Sequence, residues 1–373
     1  MICGYSITLF HLKLKIANDL LKSKLHRNII GERRKMNQQP SDRFDEPQHR
    51  WDPFLKEWII FSPKRNIRPF QGKKFESEPK KTWTCPFCPD APEGAGNWVV
   101  KQLPNRFAAL DENALPFMPQ TVGNIYKKAS NYGKCEVILY SQDHYASFGT
   151  LSHDNIVALI ELWQERFREL GKLPEMKYPF IMENRGKEIG NSMTHPHGQI
   201  YSFPYLPPKI KKKWQSFKEY HASNQKCLMC EVIKAELQDQ SRIIEQNDDF
   251  IAEIPFYAHW AFEVHIIAKK HFSSINEMNL KQVNNLAYIM KSVVNRYDAL
   301  IGSGRLMPYV MAMFNAPVNL EGKDLWHFHI EFYTPFRGID KWKFLAGVEL
   351  GTNNFISDAL PEKNAQILRD ILK

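Results

Sequence analysis

The chain has 373 residues, a formal net charge of +9, and 43% hydrophobic against 24% charged residues, the balance of a globular protein long enough for two domains. Residues 1–35 hold eight Lys or Arg against Asp19 and Glu32, a net of +6 that leaves only +3 for the rest, so a general nucleic-acid binder is not expected. No apolar run approaches the roughly 20 residues of a membrane-spanning helix, so no membrane partner is expected either.

The first 45 residues read as a basic, disordered tail, lightly amphipathic from Leu12 to Leu25 but poor in the serine and arginine of a transit peptide. Structured text starts near Arg50, with a turn at Trp51-Asp52-Pro53 and a β-rich run Trp58–Phe61. Arg65 and Arg68 follow in a proline-bounded loop, where guanidinium groups three apart can grip phosphate oxygens. Cys85-Pro86-Phe87-Cys88 comes next, then an irregular stretch ending at Leu103–Phe107 and a strand Cys135–Tyr140 that runs into His144. Ser152 suits a helix cap, and Ile156, Leu159, Ile160, Trp163, Phe167 and Leu170 recur at helical spacing behind it, a core stripe. A strand Tyr178–Glu183, a turn Asn184–Ile189 and a strand Ile200–Phe203 close the first half around Thr194-His195-Pro196-His197-Gly198-Gln199.

The second half repeats this order. Cys227 and Cys230 match the first pair, Glu263–His271 aligns without a gap on Glu136–His144, and Val283, Leu286, Met290, Val293, Val294 and Tyr297 mark a second amphipathic helix. Pro308–Met311 echoes Pro179–Met182, and His327-Phe328-His329-Ile330-Glu331 falls where the His-Pro-His run fell. The chain is therefore expected to be an α+β protein of two copies of one small fold, parted near 205–226, where Pro204, Pro207, Pro208 and a lysine run break the pattern.

All six cysteines are Cys3, Cys85, Cys88, Cys135, Cys227 and Cys230, and the two Cys-x-x-Cys pairs, with no convincing secretory signal, point to metal more than to disulfides and to a reducing compartment, the cytoplasm. Two thiolates with two imidazoles make a closed tetrahedral zinc set. Cys85, Cys88, His144 and His195 are proposed for one Zn2+, and Cys227, Cys230, His271 and His327 for a second. With His195 occupied, His197 is free to act as a nucleophile, and an imidazole attacking phosphorus gives a phosphoramidate that splits one substitution into two steps. Ser192, Asn184, Arg65, Arg68 and Gln199 are candidate donors to the phosphoryl oxygens. A carboxamide at 199 delivers no proton, so the leaving group should already be a good one, such as a phosphate monoester with a second pKa of about 6. That favours cleavage of a pyrophosphate by a transferase.

These residues resemble the galactose-1-phosphate uridylyltransferase family of the histidine-triad superfamily, from about Arg50 to the C-terminus. The resemblance rests on Ser62-Pro63 through Arg68-Pro69 with Gln71-Gly72, Cys85–Cys88, Asn105-Arg106-Phe107-Ala108, Glu183-Asn184, Ser192–Gln199, and Lys343-Phe344 with Glu349. It implies two tandem histidine-triad-like domains, at 46–205 and 206–373, each a mainly antiparallel sheet with packed helices. It further implies a ping-pong exchange in which UDP-glucose uridylylates His197 and releases glucose 1-phosphate, and galactose 1-phosphate then takes UMP to give UDP-galactose. His197, Gln199 and Ser192 would be catalytic. Arg65, Arg68, Asn105, Asn184, Ser192 and Gln199 would hold the nucleotide, and Lys343, Phe344 and Glu349 the hexose, in the family from the partner subunit of a homodimer. In some members a second, iron-like metal is held by one Glu and three His; here only His329 remains, the other positions falling near Lys213, Phe314 and Glu331. The second cysteine pair resembles another branch, which includes phosphorylases of ADP-glucose. Val348 replaces a family tyrosine, and Thr352–Phe355 lacks a glutamine that some members use. Besides uridylyl transfer, two readings stand open: an adenylyl phosphorylase using the same histidine, and an inactive zinc- and nucleotide-binding protein.

Overall fold

The computed structural model describes residues 47–62, 85–191, 193–302, 304–339 and 341–372, so the basic tail lies outside the described residues. Strands β1 (Gln48–Asp52) and β2 (Glu57–Phe61) form a hairpin. The first half continues through β3 (Lys101–Pro104), an exposed hairpin of β4 (Gln120–Val122) and β5 (Tyr126–Lys128), β6 (Lys134–Leu139), helix α1 (His153–Gly171), β7 (Tyr178–Arg185) and β8 (His197–Phe203). Then come α2 (Pro208–Asn224), α3 (Leu228–Asp239), β9 (Ile243–Gln246), β10 (Phe250–Glu253), β11 (Val264–Ala268), α4 (Leu280–Ile301), β12 (Tyr309–Phe314) and β13 (His329–Tyr333). The C-terminal segment adds β14 (Phe336–Gly338), β15 (Lys341–Trp342), α5 (Gly347–Thr352), β16 (Ile356–Ser357), which pairs parallel with β2, and α6 (Pro361–Asp370).

One nine-stranded sheet unites both halves in the order β3-β6-β8-β7-β12-β13-β11-β10-β9, with every neighbouring pair antiparallel. The order is a palindrome about the β7–β12 pair: β3, β6, β8 and β7 find their counterparts in β10, β11, β13 and β12. The duplication legible in the sequence is thus a two-fold relation within one sheet, an α+β architecture of two tandem halves.

Side chains alternate between the faces of a strand, and here the two faces do different work. Ile138, Ile181, Ile200, Val264, Ile266, Met311 and Ile330 pack against α1 and α4 in the main core. Ser152 caps α1 by accepting from the Asn155 amide at 3.1 Å, and the six apolar residues expected on its inner stripe are those buried. On the opposite face, α2, α3 and the β1–β2 hairpin cover the second half through Ile59, Phe61, Trp214, Phe217 and Met229. The first half of that face carries His197, Gln199 and Tyr201, half-buried, because Ile200 points into the helix side.

Four local expectations are corrected. Trp51 and Asp52 are strand, the turn coming at 53–56. Lys101–Pro104 is a strand; Pro104 is tolerated as the last residue of an edge, where no neighbour needs its missing N–H. Asn184 belongs to β7, which pairs as far as Arg185 with β12. The lysine run is helix α2, not a break: Pro207 is its cap and Pro208 its first residue, where proline's fixed φ is already helical. The echo of Pro179–Met182 in Pro308–Met311 is also one residue out. It would match Phe180, on the open face, with Tyr309, in the helix-side core. The register instead sets Met182 opposite Ala312 across the two-fold, and a one-residue slip would exchange the faces.

Trp163, fully buried on the inner face of α1, fills more of this core than any aliphatic residue beside it. Trp163→Ala is expected to lower the unfolding free energy by about 3–5 kcal/mol, measured as a lower urea midpoint at unchanged slope.

Candidate active site and metal centres

His197 begins β8, immediately after the loop that carries His195. Its Nδ1–H donates to the His195 carbonyl oxygen at 2.8 Å, which fixes the tautomer and leaves the Nε2 lone pair available. Burial lowers the His197 pKa, and the bond to the carbonyl opposes this only in part, so the neutral, nucleophilic form prevails at pH 7. Phe87 stands with its ring centroid 5.4 Å from that of His197. Gly198 is required by its surroundings: a Cβ there would fall 2.3 Å from the Tyr140 hydroxyl oxygen and 2.9 Å from the Met182 carbonyl oxygen. The close approach of Tyr140, just past β6, and of β7 therefore sets the strand that bears His197.

The candidate donors divide. Gln199 shares the sheet face of His197, pairs with Met182 and Val137, and its Oε1 accepts from Asn105 Nδ2 at 3.3 Å. Asn184, two residues along β7 from Met182, lines a small cleft together with His195, Pro196 and His197. Lys343 and Glu349 are joined to each other, Nζ to Oε1 at 2.8 Å, within the C-terminal segment; Phe344 beside them is 71% exposed. None of these three lines the His197 cleft. Arg65, Arg68 and Ser192 lie outside the described residues.

Each proposed set of two cysteines and two histidines is assembled. Cys85, Cys88, His144 and His195 form one cluster and Cys227, Cys230, His271 and His327 another, with the ligand atoms of each set within 4.8 Å of one another. In the first, Cys88 Sγ lies 3.4 Å from His144 Nδ1 and 3.8 Å from His195 Nδ1. In the second, Cys230 Sγ lies 3.6 Å from His271 Nδ1 and 3.5 Å from His327 Nδ1. All four imidazoles turn the other nitrogen outward: His195 Nε2–H donates to Ser141 O, His327 Nε2–H to Ala268 O, and His271 Nε2–H to Asp324 O, while His144 Nε2 meets the Thr194 hydroxyl. Such outer bonds hold metal-ligating histidines in one tautomer. Burial and the neighbouring Cys85 push the Cys88 thiol up to about 11, so two thiolates side by side there call for a cation between them. The donor chemistry fits a metal ion of borderline softness in a closed, four-ligand site.

The second His-x-His copy is built differently. Phe314 stacks flat on His329, 4.9 Å between centroids at 6°, and Lys213 from α2 donates to His329 Nε2 at 2.9 Å. Glu331 binds Lys213 and Lys209. A lysine ammonium has no lone pair to give and Phe314 has no donor atom, so this set does not fit the iron-like metal that the resemblance implies for some members. Sequence reasoning singled out neither Phe87 nor the Tyr140 hydroxyl under Gly198. The phenylalanine inside Cys-Pro-Phe-Cys was the available signal for the first; nothing local marks the second.

The N-terminal domain model of the family described as galactose-1-phosphate uridyl transferase matches residues 36–207, and the C-terminal domain model matches residues 213–373. A galactose-1-phosphate uridylyltransferase of Thermotoga maritima is 36% identical over 322 residues, 86% of this chain and 97% of that protein. An ADP-glucose phosphorylase of Arabidopsis thaliana is 24% identical, over 87% of this chain and 93% of its own. Among solved structures, a uridylyltransferase mutant superposes with a TM-score of 0.72 at 31% identity, covering 88% of this chain and 98% of that one.

Two metal ions per chain are expected by plasma mass spectrometry of the purified protein. Cys88→Ser and Cys230→Ser should each remove one while leaving the other, since the clusters share no residue.

Proposed function

The chain belongs to the galactose-1-phosphate uridyl transferase family, and we propose from that premise that it passes UMP from UDP-glucose to galactose 1-phosphate through a covalent intermediate on His197. It is a nucleotidyltransferase. The observation that carries the assignment of the nucleophile is the bond from His197 Nδ1–H to the His195 carbonyl, which leaves a neutral Nε2 lone pair on the open sheet face.

In the first step Nε2 attacks the α-phosphorus of UDP-glucose. A P–N bond forms, the bond from that phosphorus to the bridging oxygen breaks, and the oxygen departs on glucose 1-phosphate. A phosphate oxygen of galactose 1-phosphate then attacks the same phosphorus, the P–N bond breaks and UDP-galactose leaves. Neither step requires a proton for the leaving group, consistent with an amide at Gln199. Gln199, held by Asn105, and Asn184 in the same cleft are proposed as donors to the phosphoryl oxygens. Arg65, Arg68 and Ser192 are proposed for the same nucleotide and its phosphates from the family resemblance, and Ser192 for catalysis with them.

Zn2+ is proposed for both cysteine–histidine clusters. The first would tie His195, and with it the carbonyl that orients His197, to the Cys85–Cys88 turn, a structural role. Lys343, Phe344 and Glu349 are proposed as the hexose contacts of a homodimer. Their placement apart from the cleft of the same chain is what a contribution to a partner's site requires. A cytoplasmic location is proposed from the reduced cysteine pairs; among the described residues, no helix is long and apolar enough to cross a membrane. The phosphorylase reading keeps the His197 chemistry and differs in the nucleotide base and in the acceptor, AMP passing from ADP-glucose to inorganic phosphate.

Brief incubation with UDP-glucose alone is expected to add the mass of one UMP to the intact protein, and His197→Gly to abolish the gain. A gain from ADP-glucose and none from UDP-glucose would reassign the donor, and no gain from either would overturn the covalent reading. The rate of adduct formation should be flat above pH 7 and fall on the acid side only below the usual histidine value of about 6.5. The sign follows from the lowered pKa of His197, which keeps the imidazole unprotonated to lower pH than a free one.

A further inference from the structure

The two halves place corresponding residues in one row across the sheet. Gln199 pairs with Met182, Met182 with Ala312, Ala312 with Glu331, and Glu331 with His265. Glu331 therefore stands in the second half where Gln199 stands in the first, and His329 where His197 stands. By the same register Phe314 takes the place of Asn184. His197 keeps Nε2 open, whereas His329 is fully buried.

Both histidines donate from Nδ1 to the carbonyl two residues earlier, so both present a lone pair at Nε2. At His329 that lone pair accepts from the Lys213 ammonium at 2.9 Å, which also binds Glu331 and lies 4.1 Å from the centre of the Phe314 ring. Lys213 is 2% exposed. Around it carboxylates Asp52, Glu57, Glu263 and Glu331 face Lys209, Lys212, Lys213 and His259 in equal number, with burial raising Asp52 and lowering Lys213 against the pull of their neighbours. Lys212 pairs with Glu57 at 3.1 Å, His259 with Glu57 at 3.0 Å, and Lys209 with Glu331 at 3.1 Å. His265 bonds Glu263 at 2.9 Å. Burial alone would push His259 down, but Glu57, Glu263 and Asp52 outweigh it and hold it above its usual value. Burial would likewise raise Glu331, but Lys209 and Lys213 keep it well below the ordinary carboxylate range. The cavity enclosed by Asp52, Lys209, Lys213, His259, Glu263 and Glu331 has a volume of about 10 Å³, room for one water at the most. A further divalent ion would meet the Lys213 amino group already seated between its imidazole and carboxylate donors.

We propose that Lys213 is a tethered cation in the place of a metal ion at the second His-x-His strand, fastening α2 to the sheet through His329 and Glu331. The consequence is a chain that, among the described residues, binds metal at its two cysteine–histidine clusters and not at the second His-x-His strand, whose histidine is retained for structure rather than transfer.

The test is metal stoichiometry of the full chain, first loaded with Zn2+ and then dialysed against Co2+. Wild type should hold two ions and take up no third. Lys213→Ala, which frees His329 Nε2 and the Glu331 carboxylate, should take one additional Co2+ per chain. Its spectrum should show weak d–d bands without the thiolate charge-transfer absorption of a cysteine site, and Lys213→Ala with Glu331→Gln should lose it. Lys213→Arg keeps the charge and should fold and bind two ions. Lys213→Met should melt below wild type, since it leaves Glu331 short of a partner. A third ion in wild type, no added ion in a folded Lys213→Ala chain, or an unchanged melting temperature for Lys213→Met would overturn the proposal.

Discussion

The antiparallel pairing of β7 with β12, from Tyr309 opposite Arg185 to Met313 opposite Ile181, is the constraint on which the arrangement depends. It makes a single sheet of two repeated halves and turns both His-x-His strands to the same face. Around this seam, Tyr309 donates to the buried Glu183 carboxylate at 3.1 Å, and Arg185 binds Asp298 of α4 and the Met307 carbonyl. Buried polar groups of this kind are costly when left without partners. Shifting the seam by one residue would strand them and exchange the two faces.

Once both halves share a sheet, divergence between them becomes readable residue by residue. The first half presents an amide, a carboxamide and an open imidazole on its exposed face. In the second, an aromatic ring, a carboxylate and a lysine close the same positions beneath α2. The cysteine–histidine clusters diverge much less. The carbonyls that fix His195 and His327 belong to Ser141 and Ala268, which stand at the same distance before His144 and His271; within the strands the gapless match of Glu136–His144 with Glu263–His271 is one residue out, since Leu139 pairs with His197 and Ile267 with His329. The outer bond survived a change of side chain because it uses the backbone.

The proposed reactive centre is narrow in its demands. A carbonyl orients the imidazole, burial keeps it neutral, and Gly198 admits Tyr140 beneath the strand. The first cysteine–histidine cluster shares His195 with that carbonyl-bearing loop, so the cluster and His197 are two residues apart in the chain and act on one backbone.

Local patterns determined a large part of this protein before any coordinates. The helical stripe from Ile156 to Leu170, the Ser152 cap, both four-ligand sets and the position of His197 follow from spacing, because caps, periodicity and ligand intervals are written over a few residues or repeated as a unit. Gln199 and Asn184 are marked as donors by their place beside His197 and in the expected turn before it, the resemblance adds Asn105, and the fold brings all three onto or beside the face of His197. What the tertiary structure alone decided is long-range: the palindromic strand order, the register that corrects the proline echo by one residue, the folding of the lysine run into α2, and the burial of Lys213 against His329 and Glu331. Residues 213 and 329 are distant in sequence, and nothing in a run of lysines tells which one is desolvated. That choice belongs to the packing of a helix on a sheet, where a single face of α2 meets the carboxylate and imidazole of β13.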